Sequence, residues 1–387
     1  MVPKSLEGKM RIKQIKNRKD EHIRICLEKD VEAKKITSGF EDVFLIHKAL
    51  PEINLRDVKT ETVFLNHKFS APIIVEGMTG GTNRAMKINA AIAQTVEDLG
   101  LGMGVGSQRA ALENPSLVRT YKIVRDKAPS AFIISNVGGP QIALEYDVKK
   151  IRWAVEMIEA DALAIHLNPL QEAVQPEGET VYAGIIDKIR KIVDDLDVPV
   201  IVKETGGGIS AEVAKDLEEA GVACIDIAGA GGTSWAAVEY YRAVKRCDAI
   251  GRDLGLMLWD WGIPTVVSLV EVVQSVNLPI IASGGLRSGL DIAKSIALGA
   301  SLAGIARPIL ISASKSYEET RKILCTFINQ LKNIMFLTGV ISIEHLREVP
   351  LVIVGRTAEW LKTRGFSPEA YARRRSVYEP NKYREGS

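Results

Sequence analysis

The chain has 387 residues, 46% of them apolar and 25% charged, with Lys and Arg at 50 against Asp and Glu at 48. That length suits two or three average domains, or one large α/β domain with additions, and the apolar content is too high for a disordered chain. A formal net charge of +2 leaves no global field for nucleic acid or for an anionic membrane, and neither is expected as a partner.

The first residues, MVPKSLEGKMRIKQIKNRKDEH, are charged and hold no apolar stretch of the kind a signal peptide needs. The longest apolar stretch, around residues 262–282, is interrupted by Glu271 and Pro279 and falls short of a membrane span. The four cysteines, Cys26, Cys224, Cys247 and Cys325, form no CxxC pair and match no zinc spacing, so buried or partly buried thiols in a reducing compartment are expected. A cytoplasmic protein is the expectation.

From residue 71 onward, short apolar runs alternate with segments of helical period. The strand candidates are 71–78, 102–106, 131–137, 162–168, 199–205, 224–229, 279–284 and 302–307, each apolar along most of its length, as parallel strands covered on both faces are. Between them, Ile88, Ala91, Ile92, Thr95, Val96 and Leu99 follow a helical stripe that ends at Gly100. Asn114-Pro115, Ser210 and the pair Ser288/Asp291 are helix-start signals. Eight strand–helix units over about 240 residues predict a (β/α)8 TIM barrel. An open doubly wound sheet would normally show GxGxxG after its first strand, and this chain has none. The expected layout is a single barrel domain over 1–387: an N-terminal extension (1–70), the barrel (71–310), and C-terminal helices forming a cap with a basic, solvated tail (311–387).

In such a barrel, chemistry belongs at the C-terminal ends of the strands. The glycine-rich ends Gly231-Gly232-Thr233, Gly284-Gly285-Leu286-Arg287 and Gly304-Ile305-Ala306-Arg307 read as a phosphate site, or as tight turns alone. Lys203 closes an apolar strand and suits a Schiff base, a flavin ring edge, or an ion pair with a neighbouring carboxylate. His166, Asn168, Gln171 and Glu172 share one short loop, where His and Asn can donate to an anion and Glu can hold Mg²⁺ together with phosphate oxygens. Arg18-Lys19, with Glu21-His22, would on composition alone be a solvated run.

These pieces, in order, carry a resemblance. Asn17-Arg18-Lys19-x-Glu21-His22, Gly77-Met78-Thr79-Gly80-Gly81, Met103 to Arg109, His166-Leu167-Asn168-Pro169-x-Gln171-Glu172, Gln175 to Glu179, Val202-Lys203-Glu204, Gly231-Gly232-Thr233-x-Trp235, Asp260-Trp261-Gly262 and Ser283 to Asp291 are similar to the type 2, FMN-dependent isopentenyl-diphosphate isomerases. The resemblance implies a barrel loaded with FMN that interconverts isopentenyl and dimethylallyl diphosphate. It implies FMN contacts at Met78, Thr79, Ser107, Asn136, Lys203 and Thr233, with the phosphate at Gly285, Leu286, Arg287, Ala306 and Arg307. Arg18, Lys19, His166, Asn168 and Gln171 would meet the substrate diphosphate, Arg18-Lys19 then acting as a lid, and Glu172 would bind Mg²⁺. Reduced FMN, formed with NADPH or NADH, would handle the proton, Lys203 would stabilise charge on its ring, and Gln171 and Glu239 would be candidates to relay the second proton. Glu239 is alternatively a helix-surface carboxylate. A homo-oligomer, tetramer or octamer, is also implied. Two positions depart from the family pattern: Ala228 replaces a serine, and Glu76 stands where a small residue is expected. An FMN oxidoreductase of the 2-hydroxy-acid oxidase type is the alternative, but none of the five histidines lies near the seventh strand. A phosphate-binding barrel without catalysis is a third reading, which Lys203, Gln171 and Glu172 argue against.

Overall fold

The computed structural model describes residues 17–374. Residues 1–16 and 375–387, which include parts of the expected extension and tail, lie outside the described residues.

Each of the eight apolar runs forms a strand: β1 (Ile73–Val75), β2 (Gly102–Gly104), β3 (Phe132–Gly138), β4 (Ala162–His166), β5 (Val200–Lys203), β6 (Cys224–Asp226), β7 (Ile280–Ser283) and β8 (Leu302–Ile305). They pair in parallel, in chain order, and close on themselves, β8 against β1 and β7 against β6. This is the expected (β/α)8 barrel. The caps behave as their chemistry demands. Thr82 and Ser288 accept the N–H groups of Ala85 and Asp291, and Gly100 ends its helix at φ 62°, a conformation that favours glycine. The apolar stretch 262–282 resolves into a buried helix, Thr265–Val273, and β7.

Strand alternation divides the core in two. Ile73, Val75, Ile133 and Leu163 face the helices, while Ile74, Ile134, Ala164, Ile201 and Ile281 fill the barrel. The inner cluster continues into Phe64 and Phe69, which lie on a two-stranded hairpin (Thr62–Phe64 with His67–Phe69) and stack edge-on or tilted at 5.8 Å from Phe132. Because Phe132 begins β3, the hairpin stoppers the N-terminal end of the barrel.

Three expectations change at the C-terminal side. Helix Tyr317–Leu337 packs against Asn83–Leu99, Gly289–Ala297 and Arg307–Ala313, the place of the eighth barrel helix, so the helical ring extends past residue 310. The remainder is not helical throughout, since Leu351–Ile353 pairs antiparallel with Val43–Leu45 of the extension. Nor is Arg374 a solvated charge, because its guanidinium donates to the carbonyls of Ala297 and Arg347. Cys247 is exposed rather than buried.

Helix Tyr317–Leu337 approaches its neighbour closely at Gly289, where an added Cβ would stand 2.4 Å from Gln330 Cβ and 2.5 Å from the Phe327 carbonyl oxygen. Both obstacles lie on or next to backbone. Gly289→Ala is therefore expected to cost about 1–3 kcal/mol through overpacking, read as a lowered denaturation midpoint. An unchanged midpoint would mean that the two helices can separate freely.

Candidate active site

The inward alternation that buries Ile74, Ile134, Ala164, Ile201 and Ile281 has one more step to take at the C-terminal ends. It brings Glu76, Asn136, His166, Lys203, Asp226 and Ser283, with Gly104 and Gly304, into one level, one residue from each strand. The sheet register agrees: His166 pairs with Lys203, and Lys203 with Asp226.

Lys203 is buried in this ring. Its ammonium donates to the Glu204 carbonyl (2.8 Å) and lies 3.5 Å from carboxylate oxygens of both Glu76 and Asp226. Burial pulls its pKa down, but Asp226, Glu76 and Glu204 outweigh it and hold it above the usual lysine value. The ion-pair reading of Lys203 is thus realised, with Asp226 as a partner that went unnoticed in the sequence. Ser283 donates to the far oxygen of Asp226 (2.5 Å). Glu76 is pushed up to about 8 by burial and by the negative Asp226. Gly304 makes room for it, since a Cβ there would fall 2.1 Å from Glu76 Oε1.

Across the ring, Asn136 donates from Nδ2 to the Val105 carbonyl (2.9 Å), which turns its Oδ1 toward His166 Nδ1 at 2.7 Å. Nδ1 therefore carries the hydrogen. Burial, Lys203 and Lys19 push the imidazole down to about 3, so it is neutral. Asn168 directly precedes the short helix Pro169–Val174 without a side-chain capping bond, and that helix, rather than a loop, carries Gln171 and Glu172. Asn168 Nδ2 donates to both Gln171 Oε1 (3.0 Å) and Glu172 Oε1 (2.9 Å). Glu172 Oε2 accepts Gln175 Nε2 (2.6 Å) and the Glu179 N–H (2.7 Å).

The extension covers the mouth. Residues 17–28 form a helix that aims Arg18, Lys19 and His22 inward. Lys19 donates to two neutral oxygens, the Ser107 carbonyl (2.6 Å) and the Tyr121 hydroxyl (2.7 Å). Burial, with Arg18 and Arg109 nearby, lowers its pKa to about 7. The run Arg18-Lys19 is thus not a solvated surface stretch.

A cavity of about 240 Å³ lies between the ring and this helix. Arg18, Lys19, Met78, Thr79, Ser107, Asn136, His166, Asn168, Gln171, Glu172, Lys203, Thr233, Gly285, Leu286, Arg287, Ala306 and Arg307 all line it. Glu239 does not. It is 1% exposed, neither on a helix surface nor at the cavity wall, and accepts a hydrogen bond from His22 Nε2 at 2.9 Å. Behind it, the fully buried Arg242 joins Glu239, Glu177 and Glu21. This network went unnoticed in the sequence; the i,i+3 spacing of Glu239 and Arg242 is the one local signal that could have pointed to it. Arg109, quoted in the sequence only as the end of the motif from Met103 and given no role there, lines the cavity and pairs with Glu113 (2.9 Å) and Glu179 (2.5 Å).

The glycine ends also have a packing role. Gly231, at φ 107°, would place a Cβ 2.0 Å from Ser38 N, and Gly232 would place one 2.5 Å from Gly285 N. These glycines let neighbouring loops and the extension approach one another, in addition to any ligand.

The FMN-dependent dehydrogenase family matches residues 124–352. The isopentenyl-diphosphate delta-isomerase of Methanothermobacter thermautotrophicus is 50% identical over 93% of this chain and 99% of its own length. That of Pyrococcus furiosus is 50% identical over 90% of this chain and 89% of its own length. Among solved structures, a mandelate oxidase variant with a monooxide FMN adduct superposes with a TM-score of 0.60 at 18% identity, covering 86% of this chain and 95% of that one, a likeness of fold. With half of its residues shared across nearly its whole length, the chain belongs to the isopentenyl-diphosphate delta-isomerases, in the branch built on the FMN-dependent dehydrogenase barrel.

Proposed function

We propose that the protein interconverts isopentenyl diphosphate and dimethylallyl diphosphate with FMN, Mg²⁺ and NADPH or NADH, as a cytoplasmic homo-oligomer, tetramer or octamer. The observation that carries this reading is the convergence of Arg18, Lys19, His166 and Asn168 on the same cavity as Lys203 and Arg287. Such a cavity suits an anionic substrate lying against a cofactor that itself ends in phosphate.

The donor set suits FMN. Lys203 offers a cation to the polar edge of a flavin, Met78 and Leu286 offer apolar contact, and Arg287 offers a guanidinium to the phosphate. When bound, FMN supplies the ring at which alkene protonation becomes feasible. The set around Glu172 suits Mg²⁺. Among the described residues there is no cluster of three ligating side chains, but Mg²⁺ commonly takes one or two carboxylates and completes its shell with phosphate and water. The buried Oε1 of Gln175, beside Glu172, has no hydrogen-bond partner among the described residues and is an oxygen of the right hardness.

The chain's own part is to bind, orient and exclude water. Arg18 and Lys19 hold the diphosphate and close the mouth. To donate to a phosphate oxygen, His166 must take up a proton at Nε2, since Nδ1–H is committed to Asn136. Gln171, held by Asn168, is the candidate to relay the second proton, with Glu239 acting through His22. Lys203 would hold positive charge at the polar edge of the flavin, where a low dielectric makes it count.

Purified protein given isopentenyl diphosphate in deuterated buffer, anaerobically with NADPH, should be yellow, bleach, and place deuterium in substrate and product without stoichiometric NADPH use. Stoichiometric consumption would point to an oxidoreductase instead. Lys203→Ala should lower turnover on the order of 10²–10³-fold, or lose flavin on purification, and near-native turnover would remove its proposed role.

Lys19 links the substrate to pH. Free, it titrates at about 7, and an anion bound beside it raises that value. Between the two values binding takes up a proton, so diphosphate affinity should fall as pH rises above 7, by up to about tenfold per unit. Calorimetric titration with inorganic pyrophosphate from pH 6 to 9, corrected for the ligand's own protonation, reads this as the difference from Lys19→Arg, whose profile should be flatter. A flat profile in the unaltered protein would exclude Lys19 as the responsive group.

A further inference from the structure

The two arginines expected at the FMN phosphate share a counter-ion that the sequence did not suggest. Glu32, in the extension, accepts from Arg287 Nη2 with both carboxylate oxygens (2.9 and 2.8 Å) and from Arg307 Nη1 with one (2.6 Å). Glu32 does not line the cavity, whereas both arginines do. It therefore grips the two guanidinium groups from behind and does not occupy the place of a ligand. Arg307 is committed further to the extension: its Nε donates to the Cys26 carbonyl (3.0 Å) and its Nη2 to the Lys29 carbonyl (3.3 Å).

The backbone around Glu32 is fixed with equal care. Glu32 forms an antiparallel bridge with Thr233, the Ala33 N–H reaches the Gly232 carbonyl and the Ser234 N–H the Val31 carbonyl (both 2.8 Å), and Trp259 Nε1 donates to the Glu32 carbonyl (2.9 Å). Residues 31–33 thus lie as a strap across the loop after β6, next to the loops after β7 and β8. The same segment continues from the helix that holds Arg18, Lys19 and His22 over the mouth.

We propose that Glu32 is a positioning residue that makes docking of the extension and retention of a phosphate-bearing flavin mutually dependent. Two guanidinium groups side by side repel each other, and one carboxylate bridging them fixes the planes and directions of the donors they have left. A phosphate on the cavity side then completes an alternating row of charge: strap carboxylate, paired arginines, phosphate. Coupling of this kind is reciprocal, so whatever steadies the arginines for the phosphate also steadies the strap. This rests on the reading of the cavity as an FMN site.

The test compares FMN with riboflavin, which has the same ring system but no phosphate, on flavin-free protein. In the unaltered protein FMN should bind more tightly than riboflavin and should slow amide hydrogen exchange in segments containing Ala33 and Ser234 more than riboflavin does. Glu32→Ala should weaken FMN at least about tenfold, leave riboflavin unchanged, and abolish the phosphate-specific protection of the strap. Glu32→Gln, which keeps an acceptor but no charge, should fall between the two and guards against a fold defect in the first variant, with circular dichroism as a check. FMN affinity that is unchanged or tighter in both variants would overturn the proposal, the tighter case meaning that Glu32 merely opposes the phosphate. Failure of the unaltered protein to discriminate FMN from riboflavin would instead sink the phosphate reading itself, and the coupling with it.

Discussion

The ammonium of Lys203, inside a barrel whose lower layers are Ile, Ala and Phe, dictates much of what surrounds it. An unpaired ammonium there would cost several kcal/mol, so the neighbouring strands supply carboxylates at the same level. Glu76 comes from β1 and Asp226 from β6, both at 3.5 Å. Two carboxylates around one cation create their own repulsion, which shows as the elevated Glu76 and is relieved on the other side by Ser283. The arrangement depends on register. Lys203 stands opposite Asp226 and beside His166, and a slip of one residue would turn each of them out among the helices. The departure at Glu76 thus has a compensating partner in the ring, and Gly304 is the residue on the adjacent strand that leaves space for it.

The extension is the second determinant. Its hairpin closes the lower end of the barrel with Phe64 and Phe69, and its first helix and strap close the upper end. Asp260 gathers the N–H groups of Lys34 and Lys35, at 2.6 and 3.0 Å, which explains on structural grounds why an acidic residue stands in the motif Asp260-Trp261-Gly262. Gly231 yields space to Ser38, and Gly285 to the same residue and to Gly231. Residues that read as a cradle for a ligand therefore also hold the cover in place.

The barrel was legible because eight buried parallel strands leave eight apolar runs, and because Ser210, Ser288 and Gly100 are local signals whose partners lie within a turn. The lining of the site was legible for a related reason: glycines and polar residues that follow an apolar run mark the strand ends. What was not legible depends on long-range contact. Glu21, Glu177 and Glu239 meet at Arg242 from three separate parts of the chain, and no local spacing except that of Glu239 and Arg242 announces it. Asp226 was within reach of sequence reasoning. Counting inward from Cys224 by the two-residue period puts it beside Lys203, a signal that the apolar character of the run concealed.

The shared barrel cannot by itself separate an isomerase from an oxidase, since mandelate oxidase has the same architecture. The distribution of counter-charge says more. Lys203 is paired with two carboxylates, Arg109 with Glu113 and Glu179, and Arg287 and Arg307 with Glu32. Lys19 instead donates to two neutral oxygens, with the cations Arg18 and Arg109 close enough to lower its pKa. Positive charge at the covered mouth is thus least compensated at the residue the extension delivers there. An anion bound at that point restores the balance and holds the cover down. In the proposed function, recognition of the diphosphate and exclusion of water from the alkene would then become one event, located on a helix that the barrel fold alone does not provide.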